Sequence, residues 1–165
     1  YFTSNEQPQR SNIANGQPLL SAPYGIYATA NGFIALAMMD IHLLAKAIDC
    51  TALNTFLKDQ VFTQRDAIKL ILADYLITQP TAIWLERLQE EGLWAMEVLD
   101  WEQMTASEAY QCLKMEQEVQ TDGHTITTTR CPIRINGKRL LSNKPAPQLG
   151  EHNEQLYNEI LNELN

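Results

Sequence analysis

Along this chain the spacing of apolar residues alternates between the two-residue period of a strand and the longer period of a helix. Ile26 to Ala30 and Phe33 to Met38 flank Asn31-Gly32, a pair suited to the positive φ angles of a type I′ turn, so the pattern predicts a β-hairpin. Just before it, Pro23 fixes φ and Gly25 frees it, which makes "APYG" a corner leading into the first strand. From Asp40 the period becomes helical: Ile41, Leu44, Ala45 and Ile48 share a face, predicting a helix over 40–48. Ile68, Ile71, Leu72, Tyr75 and Leu76 form a longer stripe and predict a helix over 64–77, ended before Pro80. Thr81 is placed to N-cap a further helix over 82–91, with Trp84, Leu85 and Leu88 on one face and Gly92 as its stop.

"LWAMEVLDW" reads as a short strand or extended stretch, with Asp100 a helix N-cap. Thr105-Ala-Ser-Glu108 has the spacing of a capping box opening a helix through Lys114. From Glu116 the residues are strand formers, with Asp122-Gly123 and Asn136-Gly137 as hairpin turns. The prolines of "SNKPAPQLGEHN" disfavour regular structure and predict an extended connector. A final helix over 151–164 carries Leu156, Tyr157, Ile160, Leu161 and Leu164 on one side. The fold class expected is α+β, a small antiparallel sheet and hairpins packed with helices.

Composition narrows the classes of function. A formal charge of −8 argues against a nucleic-acid partner, which needs basic surface to displace counterions. The longest apolar run, Phe33 to Met39, is too short to span a membrane. Cys50, Cys112 and Cys131 are odd in number and widely spaced, which suggests a reducing, cytoplasmic setting rather than a disulfide framework. His42, His124 and His152 lie far apart and give no metal-ligand spacing, so no metal is expected. Glu86, Glu90 and Glu91 read as a solvated helix face, and Trp84, Trp94 and Trp101 as core-building residues. No nucleophile elbow, phosphate loop or zinc motif is present. "YFTSNEQPQRSNIANGQP" lacks an initiator Met and reads as a polar linker, so the chain is expected to begin within a longer polypeptide.

Several stretches together resemble the family III CoA-transferases, the CaiB/BaiF family that includes formyl-CoA and carnitine CoA-transferases and α-methylacyl-CoA racemase. These are Pro23-Tyr24-Gly25 leading to Asn31-Gly32-Phe33, Phe62 with Arg65 before a helix, Thr81 with Trp84-Leu85 before Gly92, and Ala146-Pro147 followed by Leu149-Gly150-Glu151-His152-Asn153. The resemblance covers nearly the whole chain but only the C-terminal part of the family's polypeptide. It implies a linker over 1–20, a small α+β domain over 21–115, and a hairpin, connector and terminal helix over 116–165 that return toward a large domain absent here. No catalytic residue is implied within this chain, because the family's nucleophilic Asp lies upstream in a Rossmann-like large domain.

What the resemblance implies about function is a CoA transfer from an acyl-CoA to a carboxylic acid through an aspartyl-CoA intermediate. Coenzyme A and its acyl thioester are then substrates rather than covalently bound cofactors, and the intact protein is an interlocked homodimer. A racemase or epimerase acting beside an acyl-CoA thioester is the alternative within the family, and a non-catalytic subunit or interaction module the alternative outside it. In formyl-CoA transferase a glycine-rich loop before the corresponding hairpin shields the intermediates; the matching stretch here, Leu19 to Tyr24, is not a glycine run. The position makes Ser21, Ala22, Pro23 and Tyr24 candidate substrate-binding residues, a Pro-Tyr wall of the acyl pocket. A purely structural corner is the other reading of the same residues.

Overall fold

A computed structural model describes residues 7, 9–121 and 123–163. They divide into two compact units, Tyr1–Asp100 and Trp101–Asn165. The α+β class is what the structure shows.

In the first unit β1 (Gly25–Ala28) and β2 (Phe33–Leu36) form the expected antiparallel hairpin, and β3 (Ala95–Glu97), from the stretch read as extended, pairs with β2. The hairpin is present but its turn is not type I′. Four residues, Thr29 to Gly32, connect the strands, and neither Asn31 nor Gly32 takes a positive φ. Asn31 has other work: its side-chain Oδ1 accepts from the Thr81 backbone N–H at 2.9 Å. Thr81 is therefore not the N-cap. It is the first residue of α3 (Thr81–Glu90), and the capping oxygen comes from the distant hairpin. The Thr29 and Thr81 hydroxyls meet in a buried 2.7 Å hydrogen bond, and the Ala30 N–H donates to the Gln79 carbonyl at 3.0 Å.

The helices α1 (Ile41–Ala47) and α2 (Arg65–Leu76) fall within the predicted spans. Asp40 caps α1, accepting from the His42 and Leu43 N–H groups, and also pairs with Lys58. The core is formed by the stripes the pattern picked out: Ile41, Leu44 and Ile48; Ile68, Leu72 and Leu76; Trp84 and Leu88. They pack with Tyr27, Ile34 and Leu36 from the inward face of the sheet. Two 3₁₀ turns, Thr51–Thr55 and Lys58–Gln60, join α1 to α2; the sequence pattern did not reveal them.

In the second unit, α4 (Trp101–Ala106) starts directly after Asp100, the position read as a helix N-cap, and α5 (Glu108–Leu113) is shorter than the helix expected from Thr105 through Lys114. The α5 cap is Ser107, whose Oγ accepts from the Tyr110 N–H, while the Thr105 hydroxyl donates to carbonyls inside α4. Next come the hairpins β4 (Glu116–Thr121) with β5 (His124–Thr129), and β6 (Arg134–Ile135) with β7 (Lys138–Arg139). Asn136 and Gly137, at φ 50° and 76°, make the second a left-handed two-residue turn, as predicted. Of the turn expected at Asp122-Gly123, Asp122 lies outside the described residues, and Gly123 has φ 79°.

Arg130 is buried and ties this unit together, donating to the carbonyls of Leu113 and Lys114 at 2.7 Å and so closing the last turn of α5. The helix α6 (Asn153–Glu163) leaves Leu156, Tyr157 and Ile160 more than half exposed. Leu164, expected on the same side, lies outside the described residues.

Candidate functional site

The "APYG" corner is held from three sides. The Tyr27 hydroxyl donates to the Pro23 carbonyl at 2.7 Å, and burial pushes the Tyr27 phenol pKa up. The Ala22 N–H donates to the Val61 carbonyl at 2.9 Å, the Tyr24 N–H donates to the Ser21 carbonyl at 3.2 Å, and the Ala22–Pro23 peptide is cis. Ala22 and Pro23 are buried, and Ser21 and Tyr24 are half-buried. A groove of about 810 Å³ adjoins the corner. Of the four candidates, Tyr24 lines it, and Ser21, Ala22 and Pro23 do not.

Residues 9–18 reinforce the corner from outside. Asp66, at the start of α2, accepts from the Ser11 hydroxyl and from the backbone and side-chain N–H groups of Asn12, bonds that hold its carboxyl below the usual range. Arg65 donates to the carbonyls of Gln9 and Phe62. The Ile26 N–H on β1 donates to the Asn15 carbonyl. This close approach explains two glycines. A Cβ at Gly25 would lie 2.6 Å from the Asn15 side-chain nitrogen, and one at Gly16 would lie 3.3 Å from the Tyr24 ring.

The other walls of the groove come from Ala35 and Leu36 on β2 with Ala37 just after it, Leu85 and Gln89 on α3, and Leu93 to Glu97 with Leu99 around β3. Trp94 and Met96 are 81% and 73% exposed. Sequence reasoning assigned Trp94 and Trp101 to the core with Trp84, and the structure corrects this. Trp84 is buried, its indole N–H donating 2.8 Å to the Leu76 carbonyl, while Trp94 and Trp101 are both about four-fifths exposed. The available signal was the apolar alternation Trp94, Met96, Val98. In a strand it puts all three on one side, whereas Leu88 and Trp84 already supply the core from α3.

The same alternation extends across the sheet. Register aligns Ile26, Ala35 and Met96 as cross-strand neighbours. Phe33, two residues from Ala35, is 53% exposed and Ile26 is 45% exposed. An antiparallel sheet with one wetted face normally turns polar residues outward. Here the outward side is apolar, the mark of a surface that meets something other than water.

Among the described residues no three of His, Cys, Asp and Glu come together. Glu86, Glu90 and Glu91 lie on the exposed side of α3 and its end, as expected. His124 is exposed on β5, and the half-buried His42 places Nε2 2.9 Å from the Phe56 carbonyl oxygen. No helix is long and apolar enough to cross a membrane among the described residues.

A three-stranded sheet backed by helices thus places an apolar groove beside a fixed Pro-Tyr corner. The sequence pattern of CoA-transferase family III matches residues 1–153, and the chain belongs to that family. It is 23% identical over 155 residues to the Mycobacterium tuberculosis protein named "Probable fatty acyl-CoA transferase Rv3272", covering 90% of this chain and 39% of that one. With a succinate–glutarate CoA-transferase of Agrobacterium fabrum it shares 25% identity, over 97% of this chain and 41% of the relative. The crystal structure of a CaiB/BaiF family protein from Brucella suis shares the fold, with a TM-score of 0.58 at 21% identity over 97% of this chain and 42% of that one. The chain thus spans about two-fifths of the length of the curated relatives it matches.

Proposed function

We propose that this chain is the substrate-shaping part of an enzyme that moves coenzyme A from an acyl-CoA to a carboxylic acid. The observation that carries the reading is the apolar groove bordered by Tyr24, in a chain whose family transfers CoA. The attacking carboxylate belongs to a segment outside these residues, in the large domain implied by the resemblance. What this chain contributes is positioning and exclusion of water. Tyr24, Leu85 and Trp94 enclose the acyl side of the thioester, so that an activated acyl intermediate meets the acceptor acid before it meets solvent. Ile26 and Phe33, exposed on the sheet but outside the groove lining, belong to the surface the large domain covers. The whole protein works as a homodimer in the cytoplasm, a setting in keeping with three free cysteines.

The test is isotope exchange of CoA between an acyl-CoA and its free acid, using the polypeptide that joins this chain to its large domain. Exchange is expected. Tyr24→Ala should lower kcat/KM for the acyl-CoA and alter acyl preference, with melting temperature held within about 2 °C, as for a half-buried side chain outside the core. Absence of exchange by the parent polypeptide with any acyl donor would overturn the reading. A large loss of melting temperature with unchanged kinetics would make the corner purely structural.

A further inference from the structure

Resting on that reading, we propose that the groove takes the hydrocarbon part of an uncharged acyl group, and that the chain thereby selects alkyl thioesters over thioesters ending in a second carboxylate. The lining carries the argument. Its polar residues are Tyr24, Gln89 and Glu97, and among the described residues no Lys, Arg or His lines it. A dicarboxylic acyl group would bring a free carboxylate into this space. Among the described lining residues it would find no cation to pair with, an arrangement that costs free energy by desolvation. An alkyl chain meets instead the Trp94 indole, the Met96 thioether and the methyl floor of Ala35 and Ala37.

The volume fits the same occupant. The groove, about 810 Å³, leaves room for an alkyl chain of several carbons. Trp94 and Met96 are the most exposed large apolar side chains of the sheet, so they gain most from being covered. Met96 adds a flexible, polarisable side chain able to follow chains of different length.

The experiment uses the 165-residue chain labelled at the methionine methyls and tryptophan indoles, titrated in separate samples with CoA, butanoyl-CoA, hexanoyl-CoA, octanoyl-CoA and succinyl-CoA. The Met96 methyl and Trp94 indole signals should shift with the alkyl series, affinity rising about two- to fourfold per methylene. CoA alone and succinyl-CoA should leave these signals in place. Met96→Lys, at an exposed position and checked for an unchanged melting temperature, should weaken octanoyl-CoA binding and bring succinyl-CoA into the groove.

Succinyl-CoA shifting Met96 as strongly as octanoyl-CoA would overturn the inference, as would octanoyl-CoA failing to shift it. Shifts of these signals with protein concentration alone would assign the groove to a second copy of the chain and equally overturn it. CoA exchange by the longer polypeptide reports separately on the function. An enzyme that exchanges CoA while its groove prefers succinyl-CoA would contradict only the selectivity.

Discussion

Single residues divide this chain between core, scaffold and groove, and their roles were unequally visible in the sequence. Trp84, Trp94 and Trp101 have the same composition-level meaning, yet only Trp84 is internal. The difference lies in which element each occupies, which the residue type cannot convey. Lys69 is a sharper case. It stands beside Ile68 on α2 and is fully buried, its Nζ without a hydrogen-bond partner, and burial pushes its pKa down. A lysine in a helical pattern reads as solvated, so nothing marked it.

Asp40 was read as the first residue of the helix over 40–48; it is the N-cap, and its role is electrostatic as well as geometric. The Lys58 ammonium, followed by the Leu43 N–H, lowers its carboxyl pKa from 3.8 to about 2. A depressed carboxyl pKa stabilises the fold fully above the unfolded value near 4 and loses that contribution as pH falls toward 2. Lys58 is 69% exposed, so the ion pair itself contributes little, and the cap dominates. Asp40→Asn keeps a capping oxygen but removes the charge. Its stability difference from the parent should shrink between pH 4 and pH 2, measured by urea unfolding. Asp40→Ala should cost about 1 kcal/mol at neutral pH. Parallel pH curves for parent and Asp40→Asn would show that the lowered pKa contributes nothing to stability.

At the scale of elements, strong periodicity was the reliable signal. The α1 and α2 stripes, the β1–β2 pairing and the β6–β7 turn were legible because burial of one face fixes their spacing. Caps were less legible, since they depend on which polar side chain happens to reach a free N–H. Ser107 displaced Thr105, and Asn31 displaced Thr81. The second substitution crosses fifty positions of sequence, so no local window contains it. It also ties the hairpin that follows the Tyr24 corner to α3, which supplies Leu85 to the groove. Asn31→Ala should destabilise the first unit by about 1 kcal/mol, while Asn31→Asp, which retains the acceptor, should recover most of the loss. Thermal unfolding of the two variants decides this; equal losses would mean that the cap is not what Asn31 contributes.

At the scale of the whole molecule the sequence conveyed the class, the hairpins and the family, but not where the groove lies. Groove and corner form only when β2, β3 and the segment before β1 come together, and no motif records that meeting. The contrast between the units is also a three-dimensional property. The buried hydrophobic cluster belongs to Tyr1–Asp100, whereas in Trp101–Asn165 Val119 and Arg130 are the buried residues among those described. The first unit therefore has the means to hold the groove in shape.

The central claim is that this chain shapes a CoA transfer whose covalent chemistry occurs on another segment. The most direct test is to locate the covalent intermediate. The polypeptide joining this chain to its large domain would be incubated with acyl-CoA, quenched, digested and searched by mass spectrometry for a carboxylate carrying CoA as a hydroxylamine-sensitive thioester. The account predicts the adduct on a carboxylate outside these 165 residues, and none on the isolated chain treated in the same way. A CoA thioester on any Asp or Glu of this chain would contradict it.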